Sequence, residues 1–131
     1  MPALTAIYAG ILGLLFVGLS LNVIRLRYHY RVAFGPEAPL PLQRAIRGHA
    51  NFAEYVPLTL VLLLCFELLD GPAWALHMVG ICLLLGRLAH GICFAFLTSA
   101  APLRVGGMML TFASLIIAAV GNITIAASRL F

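Results

Sequence analysis

The sequence contains no lysine: its eight basic residues are all arginine, set against four acids, and charged residues are 9% of the chain. A soluble domain carries about 25% charged residues, so this scarcity excludes an ordinary water-facing surface. Residues 1–24 hold no charge, the first being Arg25. The basic start of a cleaved signal peptide is thus missing, and a retained span with its C-terminal end inside is expected. Cys65, Cys82 and Cys93 stand singly in apolar runs with no C-x-x-C between them, which excludes a disulfide framework and a thiolate metal site. Histidines at metal-ligand spacing are absent, carboxylates are too few for a metal cage, and there is no G-x-S-x-G, P-loop or Ser/His/Asp set. Nor is there a basic stripe interleaved with aromatics, so nucleic acid is not a partner.

What the chain does have is apolar length. Hydrophobic residues make up 63% of its 131 positions and the mean hydropathy is +1.10. A membrane-crossing helix needs about 20 apolar residues, and the punctuation divides the chain into four such runs. The first ends at Arg25, Arg27 and Arg31. Gly35, Pro36, Pro39 and Pro41 mark a loop over 32–42. Leu68 to Pro72 is a short turn. The stretch 71–103 is too long for one span and turns at Thr98 to Pro102. The expectation is one all-α domain over 1–131, a four-helix transmembrane bundle with helices at about 3–25, 43–69, 73–97 and 103–129. Gly10, Gly13 and Gly18, with the alanines of the fourth helix, allow close helix packing.

Arginine placement orients the bundle. Arg25, Arg27, Arg31, Arg44 and Arg47 flank the first connection and Arg104 the third, whereas the second carries Glu67 and Asp70. Positive charge collects on the cytoplasmic side, which puts both termini outside. Arg27 and Arg31 then meet lipid phosphates.

Polar residues at membrane depth face a bundle interior or a site. Arg44, Arg47, Asn51 and Glu54 are spaced three, four and three and share one face of the second helix; Arg87, His90 and Phe94 share one face of the third. At 1.5 Å per residue, Glu54 and Arg87 both lie roughly 16 Å from the cytoplasmic helix ends, and Asn51 and His90 roughly 12 Å. The stripes are level, and Glu54 is expected to pair with Arg87. That pairing could be a purely structural ladder. The surplus of arginines at the cytoplasmic end suits an anionic ligand. His29 and His77 read as interfacial, His49 as a local packing residue, and Asn22 and Asn122 as interhelical hydrogen-bond formers.

RAIRGHANFAEYVPL (Arg44 to Leu58), GRLAHGICF (Gly86 to Phe94), APLR (Ala101 to Arg104) and VIRLR (Val23 to Arg27) together resemble the MAPEG family, the membrane-associated proteins of eicosanoid and glutathione metabolism. The likeness is to its prostaglandin E synthase branch and, in the first connection, to small bacterial inner-membrane members. The resemblance implies a homotrimer with glutathione between subunits near the cytoplasmic side. By motif position Arg47, Asn51, Glu54 and His90 would contact the tripeptide, and Arg25 would face the same pocket from the first helix. Arg104 would be the catalytic arginine that stabilises the thiolate, supplied to a neighbour's site, with Arg87 and Arg44 in supporting structural roles. Phe94 stands where related members carry a tyrosine, and phenylalanine cannot donate that hydrogen bond.

The expected function is a glutathione-dependent transferase or peroxidase acting on lipophilic electrophiles or lipid hydroperoxides taken from the bilayer. Glutathione is its cosubstrate, no metal is required, and other copies of the chain and membrane lipids are its partners. A non-catalytic lipid- or glutathione-binding member of the same fold is the alternative, favoured by Phe94. A transporter is disfavoured because the polar stripe stops near mid-bilayer, with only Ser114, Asn122 and Thr124 beyond it. A reporter that is active only outside the cytoplasm, fused after Phe131, should be active; a silent one would reverse the orientation.

Overall fold

The computed structural model describes residues 1–33, 38–96 and 101–130. Four α-helices account for nearly all of them: α1 Ala3–Tyr30, α2 Leu40–Leu68, α3 Ala73–Phe96 and α4 Ala101–Leu130. All four are long and apolar enough to cross a membrane. Consecutive helices run antiparallel, and α2 and α3 each pack against both α1 and α4, while α1 and α4 do not meet. The helical backbone satisfies its own hydrogen bonds, which is the condition for crossing hydrocarbon.

Two helix ends depart from the sequence reading. α1 does not stop at Arg25 but runs on to Tyr30 and closes on Arg31 in the left-handed conformation (φ 55°, ψ 35°), with the Val32 N–H bonded to the Arg27 carbonyl. Arginine is a good helix former and its long stem lets the charge reach the interface, so charge marks the membrane boundary and not the helix boundary. α2 begins at Leu40, with Pro39 at the cap and Pro41 inside the first turn, where a missing N–H costs nothing. The expected loop thus shortens. Its Gly35 and Pro36 lie outside the described residues, as do Leu97, the expected end of the third helix, and Thr98 to Ala100 of the expected third turn.

The end of the bundle that carries both chain termini is tied by polar groups. No side chain of its own caps α1; Glu67, in the last turn of α2, accepts the N–H groups of Leu4 (2.9 Å) and Thr5 (2.7 Å). A carboxylate there satisfies orphan donors and complements the helix dipole. Arg129 donates to Asp70 Oδ2 (2.9 Å) and to the Leu69 carbonyl (2.7 Å), joining the end of α4 to the α2–α3 turn. The Tyr8 hydroxyl lies 2.9 Å from His77 Nδ1, and Asn122 donates to the Leu62 carbonyl on α2 (2.7 Å). Asn122 is therefore interhelical as expected. Asn22 is not, since it accepts from Arg25 within the same helix.

Below this rim two apolar clusters fill the bundle. Tyr8, Leu63, Phe66, Ala75, Leu76, Val79 and Ala118 form the one nearer the termini, and Leu12, Phe52, Val56 and Leu83 the one beyond it. The closest helix approach lies further in, between α3 and α4. A Cβ at Gly86 would stand 2.7 Å from the Gly107 carbonyl oxygen and 2.9 Å from Thr111 Oγ1, and one at Gly107 would stand 2.8 Å from the Gly86 carbonyl oxygen. The glycines singled out from sequence play no such part: within the protomer, Gly10, Gly13 and Gly18 meet nothing within 4 Å. Gly86→Ala should therefore force the helices apart at a cost of about 1–3 kcal/mol, while Gly10→Ala should cost nothing. Thermal unfolding in detergent distinguishes them, and equal midpoints would show that the α3–α4 contact is looser than described.

Candidate functional site

The sequence places a polar stripe on α2 and another on α3, and the fold sets them face to face in the half of the bundle away from the termini. Arg87 is the deepest member. It is 1% exposed, yet among the described residues it has no carboxylate partner. Its guanidinium donates from Nη1 to Asn51 Oδ1 (2.8 Å) and from Nη2 to Thr111 Oγ1 (2.6 Å), with Met108 Sδ 3.3 Å from the same nitrogen. The Tyr55 ring lies 5.9 Å from its central carbon, within cation–π range. One arginine thereby bonds α2, α3 and α4 together.

The Glu54–Arg87 pair expected from matched depth is not formed. Glu54 is instead 3.7 Å from Arg47, and both side chains are open, at 47% and 66% exposure. The depth estimate was blind to azimuth. Asn51 stands between the two helices and takes the arginine, whereas Glu54, three residues on, turns outward with Arg47. An exposed pair of this kind contributes about 0–1 kcal/mol, so the structural weight falls on the Arg87–Asn51 bond.

A cavity of about 500 Å³ opens beside this network. Arg47, Asn51, His90, Phe94 and Arg104 line its polar end, and Val105, Met108, Met109 and Phe112 of α4 form its apolar wall. Five of the seven residues expected to bind or activate the ligand thus surround one space. Gly48 helps shape it: a Cβ there would come within 2.8 Å of Phe94 Cβ, so only glycine lets Phe94 lie against α2, where its ring also meets His90 at 4.7 Å between centroids. Arg44 ties the same region of α2 to α3 through the Cys93 carbonyl (3.3 Å), a supporting position like that of Arg87.

Within its own protomer Arg104 lines this cavity. Arg25 lines a different groove, of about 430 Å³, between α1 and α3 with Asn22, Leu19, Leu88 and Ile92. α1 packs on the far side of α3, so within one protomer Arg25 does not reach the cavity. His49 packs not locally but across to α1, stacked on Phe16 and 3.0 Å from Ser20 Oγ.

Sequence reading missed Tyr55, Thr111, Met109 and Phe112. Tyr55 follows Glu54 directly and extends the α2 stripe. Thr111 shares a face of α4 with Arg104 and Met108, at spacings of four and three. Met109 and Phe112 gave no polar signal, since apolar residues in a membrane helix are the background.

Donor chemistry decides what this space can hold. Arginine only donates, and Arg87 occupies the Asn51 carbonyl oxygen, leaving the amide NH₂ of Asn51 as a donor. Arg47, Arg104 and Asn51 therefore present hydrogen-bond donors and positive charge to a ligand, opposite an apolar wall. Such a lining suits an anion beside an apolar molecule, in a four-helix membrane protein.

The comparisons agree with that class. The profile of the MAPEG family matches residues 5–124, and the chain belongs to this family. It is 39% identical over 119 residues to the inner membrane protein YecN of Escherichia coli (strain K12), covering 91% of this chain and 89% of that protein. The protein of the same name from Escherichia coli O6:H1 (strain CFT073) matches equally.

A double-mutant cycle tests the rearranged network. Arg87 and Asn51 should couple by about 1.5–3 kcal/mol, the range for a hydrogen bond to a charged group, and Arg87 and Glu54 should be additive. Stability in detergent is the readout, and coupling confined to Glu54 would restore the ion pair.

Proposed function

We propose that the protein is a glutathione-dependent membrane transferase or peroxidase that acts on lipophilic electrophiles or lipid hydroperoxides. The observation that carries this reading is the cavity in which Arg47, Asn51 and Arg104 face Val105, Met109 and Phe112. Glutathione is anionic and carries two carboxylates, which the cationic end suits, and Glu54 beside Arg47 suits its ammonium. The volume of about 500 Å³ falls in the range of small-molecule sites, about 300–1,000 Å³. Family membership supports a glutathione-related role.

The logic is partition. The charged tripeptide arrives from water at the arginine end, the hydrophobic substrate from lipid past α4, and they meet at the boundary. Arg104 holds the sulfur as thiolate, since a neighbouring cation lowers a thiol pKa, and the thiolate attacks carbon or peroxide oxygen. In this reading the protein resides in the bacterial inner membrane, as the name of its relatives suggests, with both termini outside. It works as a homotrimer, in which Arg25 comes to the cavity from a neighbouring subunit. Phe94 favours a second reading, in which the same cavity binds glutathione or a lipid without turnover, because it removes a hydroxyl from the sulfur's surroundings.

Ultraviolet difference absorbance of glutathione added to the purified protein separates the two. A thiolate signal stoichiometric with sites near neutral pH is expected, and silence together with thermal protection would favour the binder. Arg104→Ala should keep affinity within a few-fold while abolishing both the absorbance and the rate. Arg47→Ala and Asn51→Ala should weaken glutathione's protection against thermal unfolding, and Arg31→Ala should not. Equal losses in all three would mean diffuse electrostatics without a shaped pocket.

A further inference from the structure

A thiol cannot become a thiolate unless its proton goes somewhere. Arg47 and Arg104 have no lone pair to offer. The Asn51 carbonyl oxygen is taken by Arg87, and an amide is not a base at neutral pH. Phe94, Val105, Met109 and Phe112 are apolar, and the Met108 thioether lies against the Arg87 guanidinium. Glu54 is outside the lining, paired with Arg47. Among the described lining residues that leaves His90.

Its surroundings fit such a task. His90 is 4% exposed and faces the cavity. Its ring touches Phe94, but neither ring nitrogen has a hydrogen-bond partner among the described residues, and neither is sealed off among the buried, unsatisfied atoms. A histidine held only for packing would have a ring nitrogen bonded, as His49 and His77 each do. Here a buried imidazole keeps its lone pair for whatever occupies the cavity.

We propose that the His90 imidazole is the general base of this site, taking the thiol proton of bound glutathione while Arg104 holds the resulting thiolate. This rests on the glutathione reading and adds the residue and a substrate class. The ring nitrogen's lone pair removes the proton and the S–H electron pair stays on sulfur. The thiolate then forms a C–S bond at the β-carbon of a lipophilic α,β-unsaturated carbonyl compound, whose π electrons move toward the carbonyl oxygen to give an enolate. The imidazolium returns its proton to the α-carbon, so His90 is regenerated and no oxidant or reductant enters. The charged groups facing His90 are Arg47 of α2, Arg87 of its own helix and Arg104 of α4; α1 contributes Arg25 at that end, in the opposite groove. Arginine does not titrate near neutrality, so a pH limb in that range belongs to the thiol.

The test uses the intact protein in detergent. Nitrogen-15 NMR of labelled histidine at pH 7.5 should show one imidazole becoming imidazolium when glutathione is added, and no change with S-methylglutathione, which has no thiol proton. His90→Gln should lose that signal and keep thermal protection by S-methylglutathione within about threefold. It should also lower the rate of conjugation to a long-chain enal at least about 100-fold, the low end for general-base catalysis. Its rate should rise with pH as the thiol ionises unaided, a limb that Arg104 holds below the free thiol value near 8.5. A wild-type imidazole that stays neutral with glutathione bound overturns the proposal, as does a His90→Gln variant with an unchanged rate and pH limb. If that variant does not fold, the wild-type spectrum decides. Absence of thermal protection by either tripeptide removes the glutathione reading itself, a different result from binding without proton transfer.

Discussion

A buried guanidinium with no carboxylate beside it governs this molecule. Taking an ion out of water costs several kcal/mol even after relaxation, and Arg87 recovers that only through hydrogen bonds to Asn51 and Thr111, the Met108 sulfur and the Tyr55 ring. Each partner belongs to a neighbouring helix, so the cation dictates where α2 and α4 stand relative to α3. Because the partners are neutral, the positive charge is not cancelled on the spot. It adds to the field of Arg47 and Arg104, in a region where the low dielectric lets charge act strongly. The same group that organises the bundle thus makes the adjoining cavity attractive to anions.

The close approach of α3 to α4 follows from this requirement. Apolar side chains give membrane helices little reason to prefer one another over lipid, and small residues that let backbones meet are the usual remedy. Gly86 and Gly107 are placed for it, each leaving room for the other's carbonyl. Gly86 immediately precedes Arg87, so the tightest contact sits where the arginine must reach Thr111. Gly48 serves the cavity in the same way, admitting Phe94. The glycines of α1 face open space, and on that helix the absence of side chains shapes a surface instead of a contact.

Four helices were legible because hydrophobic length is a one-dimensional property, and the bilayer sets its scale. Helix ends were less so, since arginine stops insertion without stopping a helix and proline is harmless in a first turn. The two polar stripes were legible from spacing alone, and Arg47, Asn51, His90, Phe94 and Arg104 do surround one cavity. Pairing across the stripes was not. Depth counts residues along an axis, and whether Asn51 or Glu54 faces Arg87 depends on the rotation of α2, which a helix period of 3.6 fixes only to within a residue's width. The α4 wall was invisible for a deeper reason: Met109 and Phe112 are ordinary lipid-facing residues until an arginine cavity is placed behind them.

The division of labour in the cavity follows from that arrangement. Three arginines gather around His90, and none can accept a proton, so a site made from them alone could bind an anion but could not create one from a neutral acid. Asn51 is prevented from helping by the bond that makes it useful, since its oxygen is committed to Arg87. Phe94 contributes shape without a hydroxyl. Every neighbour thus removes a role from itself, and the lone pair of His90 is what remains. A single acceptor among fixed donors gives the cavity a direction for proton movement, from ligand to α3, whichever molecule supplies the proton.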